Sequence, residues 1–205
     1  MSYKDNIICF LHIPKTGGKT LVDTFNRIEA LNNITHHRTG SKGFLDNFSF
    51  DYFKNLEESK NRRIYSGHFV FGEDCKKTKL YTVIRDVNEM FFSNLYFMFF
   101  TNFPTDANKK NIEAIKKKLN VSLSLQYSDI DCIKKLLDFN FITSNIITKT
   151  LAGIPFEKFF FVAEDYKIND NDYNIAVKNL QYFDAIGNTA SLSNFIKNFI
   201  STNNL

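Results

Sequence analysis

The chain has 205 residues, of which 43% are hydrophobic, so its length and composition suit a single domain spanning residues 1–205 with a sizeable core. The net charge of +4 is mild: it suits an anionic ligand and gives no reason to expect a nucleic-acid partner. Three widely spaced cysteines argue against a disulfide framework or a zinc site, and the absence of a signal-peptide pattern or a long apolar stretch predicts a cytoplasmic protein with no integral membrane segment.

The first predicted elements are a strand, a glycine-containing turn and a helix. Residues 7–11 form a continuous apolar run, which is typical of a strand buried on both faces of a parallel sheet. A turn with Gly17 and Gly18 follows, and helical spacing resumes at Thr20. The free N–H groups and the positive dipole end of such a helix meet at its first turn. This arrangement therefore predicts an anion site, flanked by Lys15 and Lys19.

The Walker A phosphate loop, G-x-x-x-x-G-K-[ST], is one candidate for this anion site. Gly18-Lys19-Thr20 supplies the end of that pattern, but its first glycine falls at Ile13. Glu164 and Asp165, after a predicted core strand at 159–163, offer a Walker B acid. A P-loop kinase or nucleoside triphosphatase is therefore one alternative function.

A polar, basic stretch follows the first helix. Residues 34–43, with His36 and His37, are predicted to form a solvated loop, and residues 44–56 a helix packed on the sheet. Next comes a short strand at 64–65 and a glycine-flanked turn that exposes His68. Ligands bind at the carboxyl ends of strands in open α/β sheets, so His68 is a candidate catalytic residue, although an isolated histidine is often structural.

Residues 80–84 form the clearest core strand, and Arg85 follows at its carboxyl end. A helix over 89–100 then carries Ser93. Because the planar guanidinium fork donates two hydrogen bonds at once, Arg85 suits a phosphate.

The remaining chain is predicted to be mostly helical. Helices are expected at 108–119, 129–139 and 145–153, and at 192–200, with an edge strand at 183–187 and a helix face formed by Ala176, Val177, Leu180 and Phe183. The basic helix at 108–119 has two interpretations, a solvated face or a surface that steers an anionic acceptor. The whole pattern predicts an α/β protein with a three-layer, P-loop-like fold, in which helices flank a central, mainly parallel sheet.

Three stretches, taken together and in this order, resemble the carbohydrate sulfotransferase superfamily, which uses 3′-phosphoadenosine 5′-phosphosulfate (PAPS). Residues 13–18 resemble its 5′-phosphosulfate loop, and Arg85 with Ser93 resembles its 3′-phosphate site. The Ser66-Gly67-His68 turn is similar to the branch that contains the uronyl and heparan 2-O-sulfotransferases. The chain departs from the family at Lys19, at Val87, where the family has proline, and at Ser66, where it often has histidine.

The resemblance implies that a sulfuryl group passes in line from PAPS to a hydroxyl acceptor, a sugar or glycan, leaving 3′,5′-ADP. His68 would be the base, with an ionisation near pH 6–7, and Lys15 would neutralise the leaving group. Arg85 and Ser93 would hold the 3′-phosphate. The 5′-phosphate would be held by Lys15, Thr16, Gly17, Gly18, Lys19 and Thr20. No metal is implied, and a non-catalytic nucleotide- or glycan-binding relative is a further alternative.

Overall fold

The computed structural model describes residues 7–32, 34–39, 63–100, 145–155, 158 and 166–205. Within this part of the chain, five strands form one parallel sheet in the order β2-β3-β1-β4-β5. The strands are β1 (Ile7–Leu11), β2 (Thr35–Thr39), β3 (Arg63–Gly67), β4 (Lys79–Ile84) and β5 (Ala185–Asn188). The helices are α1 (Gly18–Leu31), α2 (Val87–Phe100), α3 (Ile146–Leu151), α4 (Asp170–Asn179) and α5 (Leu192–Thr202). Short 3₁₀ turns span Glu73–Lys77, Leu180–Tyr182 and Thr189–Ser191.

Strand β1 is the centre of the sheet and is buried along its whole length. Its side chains alternate between two hydrophobic clusters, with Ile7, Cys9 and Leu11 in one and Ile8 and Phe10 in the other. Helices α2 and α3 contribute to the first cluster, and α1 and α5 contribute to the second. Helices therefore cover both faces of the sheet, and the predicted α/β fold with a parallel sheet between two helical layers is confirmed.

The prediction of a solvated loop at 34–43 is wrong for residues 35–39, which form the edge strand β2. The ring of His36 contacts the Ser66 hydroxyl at 2.7 Å through Nε2 and the Asn26 side-chain oxygen at 2.8 Å through Nδ1. The ring of His37 stacks on Tyr65 with a centroid distance of 5.0 Å. These partners are distant in the sequence, so a polar segment gains its strand conformation from tertiary contacts.

Most other predicted elements agree with the structure. The strands at 7–11 and 80–84, the edge strand β5 and the helices α1, α2 and α5 are confirmed within two residues. Helix α3 is followed by Gly153 at φ 76°, as predicted for a glycine that ends a helix. The predicted apolar face is wrong at Val177, which is 48% exposed, whereas Ala176 is buried and Phe183 packs against the first hydrophobic cluster. The other buried residues of α4 are the polar Asp172 and Asn179.

Several predictions fall outside the described residues. These are the helices at 44–56, 108–119 and 129–139, the strand at 159–163, and the acidic pair Glu164 and Asp165. Among the helices that the structure describes, none combines the length and apolarity needed to span a membrane.

Candidate active site

The candidate site lies where the chain changes direction across the sheet. From β1 the chain runs to β2 and β3 on one side, and then crosses β1 to reach β4 and β5 on the other side. Leu11 of β1 is in register with Gly67 of β3 and Thr82 of β4. The carboxyl ends of these three parallel strands therefore lie side by side at one end of the sheet. Such a switch point forms a crevice at the carboxyl ends of the strands, which is where open α/β sheets bind ligands.

The loop between β1 and α1 has two residues in the left-handed region, Lys15 at φ 67° and Gly17 at φ 82°. Glycine adopts this conformation freely, whereas for a lysine it costs about 1 kcal/mol of conformational free energy. Thr16, fully buried between them, donates its hydroxyl to the carbonyl oxygen of Ile13 at 2.7 Å. This bond closes the turn and occupies the hydroxyl hydrogen of Thr16. The ligand contact predicted for Thr16 would therefore be made by its backbone N–H group.

Helix α1 begins at Gly18 without a side-chain cap and without an acidic residue in its first turn. The N–H groups of Gly18, Lys19 and Thr20 consequently have no intrahelical acceptor and point out of the helix end. The side chains of Lys19 and Thr20 are exposed. A negative charge at this position would accept hydrogen bonds from the backbone and gain from the helix dipole.

Arg85, the first residue after β4, reaches this loop. Its Nη1 donates to the carbonyl oxygen of Lys15 at 3.5 Å, and its Nε donates to Glu89 at 3.1 Å. Burial and, to a smaller extent, the positive charge of Arg85 lower the pKa of Lys15. The structure thus holds two cationic side chains close together beside an uncapped helix end, an arrangement that an anion would stabilise.

Ser93 lies on α2, one helical turn beyond Glu89, and is half-buried. Among the described contacts, none joins Ser93 to Arg85. Its role at a phosphate therefore stays a prediction. Glu89 was not predicted as part of the site, although its place four residues after Arg85 and at the start of a helix is a recognisable signal for an ion pair.

His68 follows β3 at the same edge of the sheet and is half-buried rather than exposed. Its Nδ1 lies 2.8 Å from the carbonyl oxygen of His12. Since a carbonyl can only accept, Nδ1 carries the proton, and in the neutral ring Nε2 is the unprotonated nitrogen. Burial lowers the pKa of His68, the hydrogen bond to His12 opposes this, and Arg38 lowers it further. A neutral imidazole, whose Nε2 carries no proton, can act as a proton acceptor at neutral pH.

The neighbouring His12 lies outside the motifs quoted from the sequence, where it is only a substitute for His68 as the candidate base. Its ring stacks on that of His68 with a centroid distance of 4.1 Å and an interplanar angle of 27°. A Cβ added at Gly18 would lie only 1.6 Å from Nε2 of His12, so the ring occupies the space that the glycine leaves. His12 directly follows β1, just as His68 follows β3. This place at the end of a strand is the sequence feature that could have identified His12 as a site residue.

The described residues contain no group of three or more histidine, cysteine or acidic side chains arranged to hold a metal ion. The anion loop, which joins β1 to α1, follows the central strand. His68 follows β3 and Arg85 follows β4, the two neighbours of β1. A loop suited to an anion, a neutral histidine and an arginine therefore follow three adjacent strands. The fold and the site thus define a parallel α/β protein with cationic side chains and a helix N-terminus at the carboxyl ends of its central strands.

Neither protein-family models nor curated proteins give a match to this chain. Among solved structures, one similar chain is that of mouse sulfotransferase SULT7A1 complexed with PAP, at a TM-score of 0.37 and 16% identity. The alignment covers 87% of this chain and 66% of that chain, so this chain spans slightly less than two thirds of the other's length. A likeness at this level carries no argument about the activity of this chain.

Proposed function

We propose that the protein is a PAPS-dependent sulfotransferase whose acceptor is a hydroxyl group, with a sugar or glycan as the acceptor class. The observation that supports this most strongly is the meeting of three elements at one sheet edge. The anion loop with Lys15 follows β1, His68 follows β3 and Arg85 follows β4. The motifs quoted from the sequence therefore come from separate parts of the chain and follow the carboxyl ends of adjacent strands.

The site offers donors for two phosphate groups. The backbone N–H groups of residues 16–20 and the ammonium group of Lys15 would bind the 5′-phosphosulfate, because the uncapped start of α1 favours negative charge. The guanidinium fork of Arg85 would bind the 3′-phosphate, with Ser93 as a second donor. Bound phosphates would also relieve the repulsion between Lys15 and Arg85, which adds to the larger effect of burial in lowering the pKa of Lys15.

The reaction is a displacement at sulfur. Nε2 of His68 accepts the proton of the acceptor hydroxyl while the acceptor oxygen forms its bond to sulfur. The bond between sulfur and the 5′-phosphate oxygen breaks, and its electron pair leaves with 3′,5′-ADP. Lys15 neutralises the charge that develops on that oxygen, and the N-terminus of α1 stabilises it further. Catalysis in this proposal is positioning, one proton transfer and charge stabilisation.

The experiment is an incubation with PAPS and a panel of hydroxyl acceptors, followed by chromatographic detection of 3′,5′-ADP and sulfated products. We expect 3′,5′-ADP to form only with an acceptor or, more slowly, with water, and Lys15→Ala to abolish its formation. The matched control is Lys77→Ala, which removes a charge at the amino end of β4. Consumption of Mg²⁺-ATP together with inertness toward PAPS would overturn the proposal in favour of the kinase or triphosphatase alternative.

A further inference from the structure

We infer that His12 is a positioning residue, which couples the orientation of the proposed base His68 to the start of the anion loop. The inference rests on the proposed function, since His68 acts as the base only there. It concerns a residue that none of the quoted sequence motifs uses. Three sets of contacts support it: two hydrogen bonds made by the backbone of His12, a ring stack and a close approach to Gly18.

The backbone of His12 ties the ends of β1 and β3 together. Its N–H donates to the carbonyl oxygen of Gly67 at 2.9 Å, and its own carbonyl oxygen accepts from Nδ1 of His68 at 2.8 Å. The second bond selects the tautomer of His68, because only a protonated Nδ1 can donate to a carbonyl. Nε2 is thereby kept as the acceptor that the proposed reaction needs.

The side chain of His12 contacts both the base and the anion loop. Its ring lies 4.1 Å from that of His68, centroid to centroid, and its Nε2 fills the space beside the Cα of Gly18. Gly18 is the first residue of α1, whose N-terminus would bind the 5′-phosphosulfate. The His12 ring therefore sets the distance between that helix end and the base, which fixes the base relative to the sulfur.

Charges around the pair favour two neutral rings. Burial lowers the pKa of His12 well below its usual value, and the charges of His68 and Arg38 lower it further. Arg38 of β2 acts on His68 in the same direction, and Lys15 and Arg85 add positive charge at the same sheet edge. A neutral His12 ring can pack against His68 without the repulsion that two imidazolium rings would experience.

The test combines ¹⁵N NMR of the histidine side chains with kinetics on His12→Ala, His12→Phe and Gly18→Ala. The matched control is His37→Ala, which removes another stacked histidine, one that packs on Tyr65.

We expect wild-type His68 to show the Nδ1–H tautomer with a low titration midpoint. In His12→Ala and Gly18→Ala the midpoint should rise toward 6.5, the ordinary value, and kcat should fall roughly 10-fold. KM for PAPS should change little in His12→Ala. His37→Ala should leave all these readouts unchanged.

His12→Phe keeps a flat ring and removes both nitrogens, so it should keep the low His68 midpoint and most of kcat. Equal kcat losses in His12→Phe and His12→Ala would overturn the inference, because His12 would then act through its own nitrogens. An unchanged His68 tautomer and midpoint in both His12→Ala and Gly18→Ala would also overturn it. The NMR readouts need no PAPS, so they separate this inference from the proposed function, which fails instead if 3′,5′-ADP does not bind.

Discussion

The guanidinium Nε of Arg85 donates to Oε2 of Glu89 at 3.1 Å, and the Glu89 side chain is 61% exposed. This ion pair occupies part of the fork that, in the proposed function, receives the 3′-phosphate. A carboxylate and a phosphate accept from the same guanidinium donors and therefore compete for them. The structure thus contains a competitor for the ligand, four residues after the arginine.

Replacing this competitor should strengthen binding. We expect Glu89→Gln to raise the affinity for 3′,5′-ADP by about 1.5–5-fold, because an exposed ion pair contributes about 0.2–1 kcal/mol. The affinity for 5′-AMP, which lacks the 3′-phosphate, should change less. Calorimetric titration of both ligands measures the effect. A weaker affinity of Glu89→Gln for 3′,5′-ADP would show instead that Glu89 orients Arg85 for binding.

Removal of the Arg85 guanidinium should affect binding of the 3′-phosphate much more than binding of the 5′-phosphate. We expect Arg85→Ala to weaken 3′,5′-ADP binding by about 10–150-fold, since a hydrogen bond to a charged group is worth about 1.5–3 kcal/mol. Binding of 5′-AMP should fall far less. Lys77→Ala serves as the control for the loss of one positive charge, because Lys77 precedes β4, whereas Arg85 follows it. Equal losses for both nucleotides would exclude Arg85 from the 3′-phosphate.

The third prediction concerns His68 and pH. Only the neutral ring can accept a proton, so the rate should rise with pH through the pKa of His68 and then level off. Burial lowers that pKa from its ordinary value of 6.5, so the midpoint should lie below 6.5, which excludes the upper half of the range of 6–7 expected from the sequence. His68→Ala should reduce turnover about 10²–10⁴-fold and leave 3′,5′-ADP affinity near wild type.

Two results would contradict the assignment of His68 as the base. One is a His68→Ala enzyme that turns over at the wild-type rate, and the other is a wild-type rate that falls as the pH rises toward 6.5. Lys15→Ala provides the contrast, because it should lose turnover and cofactor affinity together.

Folding stability should also depend on pH, through the histidines. Burial lowers the pKa values of His12, His36, His37 and His68 from 6.5, to about 4 for His36. Below pH 6.5 the unfolded chain therefore binds more protons than the folded protein, and stability falls as the pH drops from 6.5 toward 4. Melting temperatures measured across this range should decrease, and His36→Gln should flatten the decrease. A melting temperature that rises on acidification to pH 5 would contradict this.

The fold was predictable where local pattern and tertiary environment agree. The apolar runs of β1 and β4 indicate buried parallel strands, and their residues do fill both faces of the sheet. Strand β2 could not be predicted in this way, because its sequence Thr-His-His-Arg-Thr has no apolar residue. Its contacts with Ser66, Asn26 and Tyr65 come from other elements and leave no local signal.

The candidate site was predictable where a rule about strand ends applies. Lys15, His68 and Arg85 were predicted because each follows a predicted strand and belongs to a motif. His12 also follows a strand, but its stack on His68 depends on the register between β1 and β3, which the sequence does not reveal. The use of the Thr16 hydroxyl within the loop likewise depends on the left-handed turn around it.

The most direct test of the central claim is a thermal-shift panel of 3′,5′-ADP, ADP and ATP, each with Mg²⁺ and with a chelator. At about one hundred times its dissociation constant, 3′,5′-ADP should stabilise the protein by ~2.7 kcal/mol. For a domain of this size that corresponds to a rise of about 5–11 °C in melting temperature. A site for PAPS should give this shift in the chelator as well as in Mg²⁺, with smaller shifts for ADP and ATP. A Mg²⁺-dependent shift with ATP and none with 3′,5′-ADP would contradict it.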